Sequence, residues 1–111
     1  MIRRSHTAVV ERNVRWSGAF ETEPYEAGWA SEAIFFVRTL ERATLGSDTS
    51  ARVQVSPDGM AWCDEGTAVS LRGEPGQTFC RVRHFGGWLR LAGRLSPGEA
   101  LRVIVYLVLK E

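Results

Sequence analysis

Residues 100–110 read Ala100-Leu101-Arg102-Val103-Ile104-Val105-Tyr106-Leu107-Val108-Leu109-Lys110, and the fold turns on how this run is interpreted. It is dense in β-branched and aromatic side chains and free of Gly and Pro, which makes it a strand. Side chains alternate across a strand, so Leu101, Val103, Val105, Leu107 and Leu109 point one way while Ile104, Tyr106 and Val108 point the other. Both sets are apolar. A two-layer domain buries one face of each strand, so the second face needs a cover, either a partner or a second sheet wrapping both sides.

Ala33 to Arg42 poses the same problem, with Ile34, Phe36 and Leu40 on one face and Phe35 and Val37 on the other. The two runs are expected as neighbours in mid-sheet or at a subunit contact. Phe35, Val37, Ile104, Tyr106 and Val108 are therefore the candidate interface residues.

Between these runs the chain is punctuated by turns. Arg52-Val53-Gln54-Val55-Ser56 alternates apolar and polar, Pro57-Asp58-Gly59 supplies a tight turn, and Met60-Ala61-Trp62-Cys63 returns, which together predict a hairpin. Further strands are expected over His6–Val10, Trp16–Thr22 with a bulge at Ser17-Gly18, Thr67–Leu71, Thr78–His84 and Trp88–Ala92. Glu23 to Trp29 reads as an ordered loop pinned by Tyr25 and Trp29. Short strands at roughly eight-to-twelve-residue spacing, with no helix-length amphipathic stretch, predict an all-β fold: an antiparallel β-sandwich of jelly-roll type with about eight strands.

The bulk properties bound the rest. The chain has 111 residues, 44 % hydrophobic and 24 % charged, which suits one soluble globular domain over residues 1–111. No stretch reaches the roughly 18 apolar residues of a bilayer-spanning helix, so no membrane partner is expected. The basic start at Arg3-Arg4 is followed by no apolar h-region, so a cytoplasmic location is expected, with Cys63 and Cys80 as free, half-buried thiols.

The formal net charge of +1 makes nucleic acid an unlikely partner. Charge is nonetheless uneven. Arg81, Arg83, Arg90, Arg94 and Arg102 lie together in the second half, and Glu21, Glu23, Glu26 and Glu32 cluster early, so opposed patches can meet within one chain or between copies.

No catalytic, metal or cofactor motif emerges. Cys80 and His84 are four apart on one predicted strand, about 13 Å at the rise of about 3.3 Å per residue, beyond direct hydrogen bonding. There is no CxxC or HxH pair, no Walker A sequence, no GxGxxG and no GxSxG, so no metal and no cofactor are expected. The best ligand-like features are aromatic and cationic. Tyr25, Trp29 and Trp88 supply rings, and Arg81, Arg83 and Arg90 are expected to line one outer sheet face, ready for a ligand or partner or paired with Glu across strands.

The layout Val53-Gln54-Val55-Ser56-Pro57-Asp58-Gly59-Met60-Ala61-Trp62, followed by Phe85-Gly86-Gly87-Trp88-Leu89-Arg90-Leu91 and an apolar strand ending in Leu109-Lys110, resembles discoidin-like jelly-roll modules. It is similar also to small β-sandwich proteins of phage virions and prophage-like clusters. The first resemblance implies carbohydrate binding through loop aromatics. The second implies a compact subunit that self-associates or decorates a larger protein shell.

Together these observations predict a non-enzymatic structural or interaction subunit that forms a homo-oligomer, a trimer or larger ring as readily as a dimer. A carbohydrate-binding module using Tyr25, Trp29 and Trp88 is the alternative. A small enzyme of jelly-roll type would need His84 or the Glu cluster to line a deep pocket.

Overall fold

Nine strands follow one another in the computed structural model, which describes residues 4–111: β1 (Ser5–Ser17), β2 (Ala19–Glu21), β3 (Tyr25–Glu26), β4 (Glu32–Thr39), β5 (Ser50–Ser56), β6 (Cys63–Ser70), β7 (Gly76–Arg83), β8 (Trp88–Arg94) and β9 (Ala100–Lys110). The first residues of the basic start lie outside the described part. Among the described residues there is no helix.

The strands form two antiparallel sheets, one ordered β1-β9-β4-β7 and the other β2-β8-β5-β6, with β3 also on β8. Pairing runs inward from the two ends of the chain: β1 with β9, β2 and β3 with β8, β4 with β7, and β5 with β6. This is one long hairpin rolled up so that successive pairs fall alternately in the two sheets, which is the jelly roll. The Pro57-Asp58-Gly59 turn is its tip.

Local chemistry explains where the elements end. At the tip, the Ser56 hydroxyl accepts the amides of Asp58 (3.2 Å) and Gly59 (2.8 Å), and one Asp58 carboxylate oxygen accepts those of Met60 (2.9 Å) and Ala61 (3.0 Å). Those amides are then unavailable for strand pairing. The return strand therefore starts at Cys63, and the strand expected over Thr67–Leu71 proves to be the second half of β6, entered through Gly66 at φ 110° and ending at Ser70.

Near the N-terminus, His6–Val10 and Trp16 belong to one strand of 13 residues, β1. Its charged middle is absorbed by register shifts between Val9 and Glu11 and between Glu11 and Val14, with Asn13 at φ 56°. Gly18, at φ 57°, then turns the chain into the other sheet, so Trp16–Thr22 is not a continuous strand. Tyr25 and Glu26, expected in a loop, pair with Leu89 and Trp88.

The core lies between the sheets. Phe35, Val37, Leu107 and Leu109 from the first sheet meet Val53, Leu89 and Leu91 from the second, all buried. Each such side chain contributes roughly 1.5–3 kcal/mol on leaving water. At the corner where β1 passes to β2, Trp16 stacks on Phe20 with centroids 4.0 Å apart. The isolated polar group Thr22 is held by its partner strand: its amide donates to Leu91 O and its hydroxyl accepts Leu91 N, both at 2.9 Å.

The alternation in β9 resolves the opening question. Leu101, Val103, Val105, Leu107 and Leu109 are buried, whereas Ile104, Tyr106 and Val108 are only half-buried. The second sheet covers one face of β9 and β4, and does not wrap round to the other.

Candidate interaction surface

The register of the first sheet lays its outward side chains in rows across all four strands. Val9, Tyr106, Phe36 and Phe79 form one row, and Thr7, Val108, Ile34 and Arg81 the next. Ile104, Arg38 and Gln77 lie on one side of these, and Ser5, Lys110, Glu32 and Arg83 on the other. The centre is apolar and open to solvent, with Val9 42 % and Phe79 49 % exposed.

The sequence places this apolar centre correctly on β9 and wrongly on β4. Phe35 and Val37 stand opposite Leu107 and Val105 and are 0 % and 1 % exposed, so they belong to the core and cannot reach a partner. Their neighbours Ile34 and Phe36 take the outer face instead. Both sides of β4 carry bulky apolar residues, so composition alone does not distinguish them. Phe79 of β7 is the residue that sequence reading missed, although its alternation with Cys80 was a usable signal.

Aromatic rings and cations interleave on this face. Phe36 and Phe79 have centroids 5.7 Å apart, the Arg81 guanidinium carbon lies 5.0 Å from the Phe79 centroid, and that of Arg38 lies 5.4 Å from the Tyr106 centroid. Arg38 Nε donates to Gln77 Oε1 at 3.3 Å, and Arg83 pairs with Glu32 at 3.5 Å. A cavity of about 210 Å³ opens between β4 and β7 at this end, lined by Glu32, Ile34, Arg81, Arg83 and Lys110 among others. Within these four rows the charge is mostly basic, Arg38, Arg81, Arg83 and Lys110 against Glu32, and the next row adds Arg15 and Arg102, the latter paired with Glu41 at 3.7 Å.

The expected arginine row does not form as one. Arg81 and Arg83 point outward from β7, while Arg90 points outward from β8 on the opposite side of the sandwich, because the His84–Gly87 loop carries the chain from one sheet to the other. There Arg90 Nη1 pairs with Glu21 at 2.9 Å, its Nε donates to Gln54 Oε1 at 2.8 Å, and its guanidinium carbon lies 4.2 Å from the Trp62 ring. The cross-strand Arg–Glu pairing anticipated from the sequence is thus present on both faces.

The three candidate aromatics also separate. Tyr25 stands opposite the buried Leu89 and packs on the core beside His6, at 6.4 Å between ring centroids. Trp88 points outward and covers the hairpin tip, where a Cβ on Gly59 would lie 3.2 Å from its ring. Trp29 sits in the loop after β3, 42 % exposed.

The chain matches no protein-family model and no curated protein.

The early acids do not form one cluster. The early acids go to different partners: Glu21 to Arg90, Glu32 to Arg83 and Glu26 to the amide of Gly28 at 3.0 Å. Glu23 lies near Glu11, whose carboxyl is pushed up in pKa by burial and then by the Glu23 charge. Among the described residues, no three His, Cys, Asp or Glu are grouped to hold a metal ion. Cys63 is exposed on β6 and Cys80 buried on β7, both free. An open cleft of about 520 Å³ at the hairpin end brings Cys63, Glu65 and His84 together with Val55 and Phe85.

Proposed function

We propose that the protein is a non-enzymatic structural subunit that self-associates through the outer face of the β1-β9-β4-β7 sheet. The observation that carries this reading is the row Val9, Tyr106, Phe36 and Phe79, apolar side chains abreast on every strand of a face turned away from the core. A solvated sheet face normally carries polar residues, and a contiguous apolar patch with a polar rim is the mark of a contact surface. With strands about 4.8 Å apart and a rise of about 3.3 Å per residue, the face offers roughly 500 Å² per side, near the roughly 1,000 Å² total that a specific contact needs.

Edge pairing through β1, β2 or β3 is a poor alternative route. β1 is bulged twice, and β2 and β3 span only 3 and 2 residues, so the edges on this side of the sandwich are blunted in the way that discourages strand addition.

Charge orients the contact. Two such faces set against each other would bring the basic rims of Arg38, Arg81, Arg83 and Lys110 together, which is unfavourable. The complementary surface on the same molecule is the β2–β3 side, where Glu23, Glu26 and Trp29 are all exposed. A head-to-tail contact of this kind closes into a ring when the rotation between copies closes, so a trimer or larger ring is favoured over a two-fold dimer. The role in or on a protein shell implied by the virion-type resemblance is compatible with such a ring.

Size-exclusion chromatography with light scattering tests the proposal. The wild-type chain is expected to run as a ring that loosens at high salt, and Phe36→Glu combined with Val108→Glu as a soluble monomer with unchanged circular dichroism. A wild-type monomer at all concentrations overturns the reading.

A further inference from the structure

Two sheets present four edges, and most of them are blunted. β1 is bulged twice, β2 and β3 are short, and the β5–β6 pairing shifts register between Arg52 and Gln54, with Gly66 of β6 at φ 110°. β7 is built differently. Its 8 residues contain no Pro and pair with β4 in unbroken register, and among the described residues no strand lies beyond it. A long, regular edge is a template for another extended chain, which is why folds usually interrupt it.

The backbone groups on that edge follow from the ladder. The Leu40 amide donates to Arg102 O at 2.9 Å, one residue on from the Thr39–Val103 pair of β4 and β9. Residues that bond across an antiparallel ladder alternate, so Arg38, Phe36 and Ile34 turn their backbone groups to β9, and Val37, Phe35 and Ala33 turn theirs to β7. Their partners Thr78, Cys80 and Val82 are thereby satisfied. The amides and carbonyls of Phe79, Arg81 and Arg83 point the opposite way, sideways out of the sheet, and all three residues are exposed. Among the described residues no backbone group of another strand or loop bonds to them. Nearer the start of β7 the edge is closed, where the Thr78 hydroxyl donates to Ser70 O at 2.6 Å.

Side chains select what can pair there. A residue on an added strand stands beside its opposite number on the same side of the sheet, close enough for charge and ring contacts. Arg81 lies over the Phe79 ring at 5.0 Å, and Arg83 reaches Glu32 only at 3.5 Å with its side chain 66 % exposed. An acid opposite each arginine and an apolar residue opposite Phe79 complement this pattern. The β7 strand of a second copy does not, because it brings further arginines to the same edge. We propose that the β7 edge from Phe79 to Arg83 docks an extended acidic segment of another protein, added as an antiparallel strand through main-chain hydrogen bonds. The strand pairs of this fold are antiparallel, which sets the direction. The edge lies in the plane of the sheet, so this docking neither requires nor replaces self-association through the outer face.

Amide hydrogen exchange on the full chain, followed by NMR, and anisotropy with a labelled peptide test the proposal. The probe is a capped peptide of alternating glutamate and valine as long as β7, beside its lysine–valine counterpart. In the free chain the Cys80 and Val82 amides are expected to exchange slowly and those of Phe79, Arg81 and Arg83 fast. The glutamate peptide should protect those three, and the lysine peptide none. The residue opposite Arg81 turns its own backbone to β7, so N-methylation of the peptide's glutamates should abolish binding while N-methylation of its valines leaves it intact. Arg81→Glu combined with Arg83→Glu, both at exposed sites, should weaken binding of the glutamate peptide at least about tenfold and favour the lysine peptide. The proposal is overturned by an absence of saturable binding, by equal effects of the two N-methylations, by protection confined to other strands, or by charge-reversed protein that binds like wild type. An edge already protected in the free chain in a concentration-dependent way, as pairing with a second copy would give, overturns it too.

Discussion

Phe36 and Phe79 face each other across β4 and β7 with ring centroids 5.7 Å apart, on the side of the sheet that no other described part of the chain covers. One residue earlier, Phe35 is 0 % exposed in the core. Phe35 in the core and Phe79 on the open face therefore do opposite work, and substitution separates them. Phe35→Ala is expected to cost about 3–5 kcal/mol of folding stability, through lost burial and the cavity left behind. Phe79→Ala is expected to cost under about 1 kcal/mol in the isolated chain. Urea unfolding of both variants checks the assignment, and similar losses would contradict it.

The backbone near the hairpin tip leaves no room at Gly87. It has φ 74°, and a Cβ there would run into Ser56 O and come within 3.3 Å of Pro57 Cα. Gly98 has a comparable φ of 84° but open space around it. Gly87→Ala is expected to cost at least about 2 kcal/mol more than Gly98→Ala, which carries only the left-handed backbone penalty of about 1–2 kcal/mol. Thermal unfolding of the two variants, with equal shifts as the contrary result, decides this.

The thiols differ in reactivity. Burial pushes the Cys80 thiol up to about 11, helped by the nearby Glu65 charge against a hydrogen bond from the Phe35 backbone, while Cys63 is exposed. Only thiolate is nucleophilic, so an aromatic disulfide reagent at neutral pH should titrate one thiol per native chain and the second only after denaturation. Cys63→Ser should abolish the native reaction. Two thiols reacting at similar rates would refute the placement of Cys80.

Asp58 links the hairpin tip to pH. Hydrogen bonds from the Ala61 and Met60 amides, then the Ser56 hydroxyl, hold its carboxyl below its ordinary 3.8. A depressed carboxyl stabilises the folded state above its unfolded pKa, and that stability is lost as pH falls through the folded value. Wild type should therefore exceed Asp58→Asn in Tm near neutrality, with the gap shrinking as pH drops below the ordinary 3.8. A gap that stays constant with pH would show that the ionised form is not what holds the turn.

Strand identity was legible in the sequence wherever alternation was strong, as in Arg52–Ser56 and in β9. Boundaries failed where side chains took over backbone hydrogen bonding, as Asp58 does for Met60 and Ala61, or where a single backbone conformation switched sheets, as at Gly18. The candidate surface was half legible. Ile104, Tyr106 and Val108 were found because Leu101 to Leu109 on the other side of β9 make an unmistakable core stripe. On β4, Ile34 and Phe36 are as apolar as Phe35 and Val37, and nothing local ranks one pair inside the other.

The sequence by itself determined that this chain is an all-β jelly roll whose last strand is apolar on both sides, because period-two hydrophobicity and turn residues act over a few neighbours. Only the tertiary structure decided that one side of that strand remains uncovered. The same is true of the placement of Arg90 opposite Arg81 and Arg83, and of Trp62 against the Arg90 guanidinium. These relations are set by which strands pair and which loops cross between sheets, and such long-range contacts leave no trace in the spacing of residues along one segment.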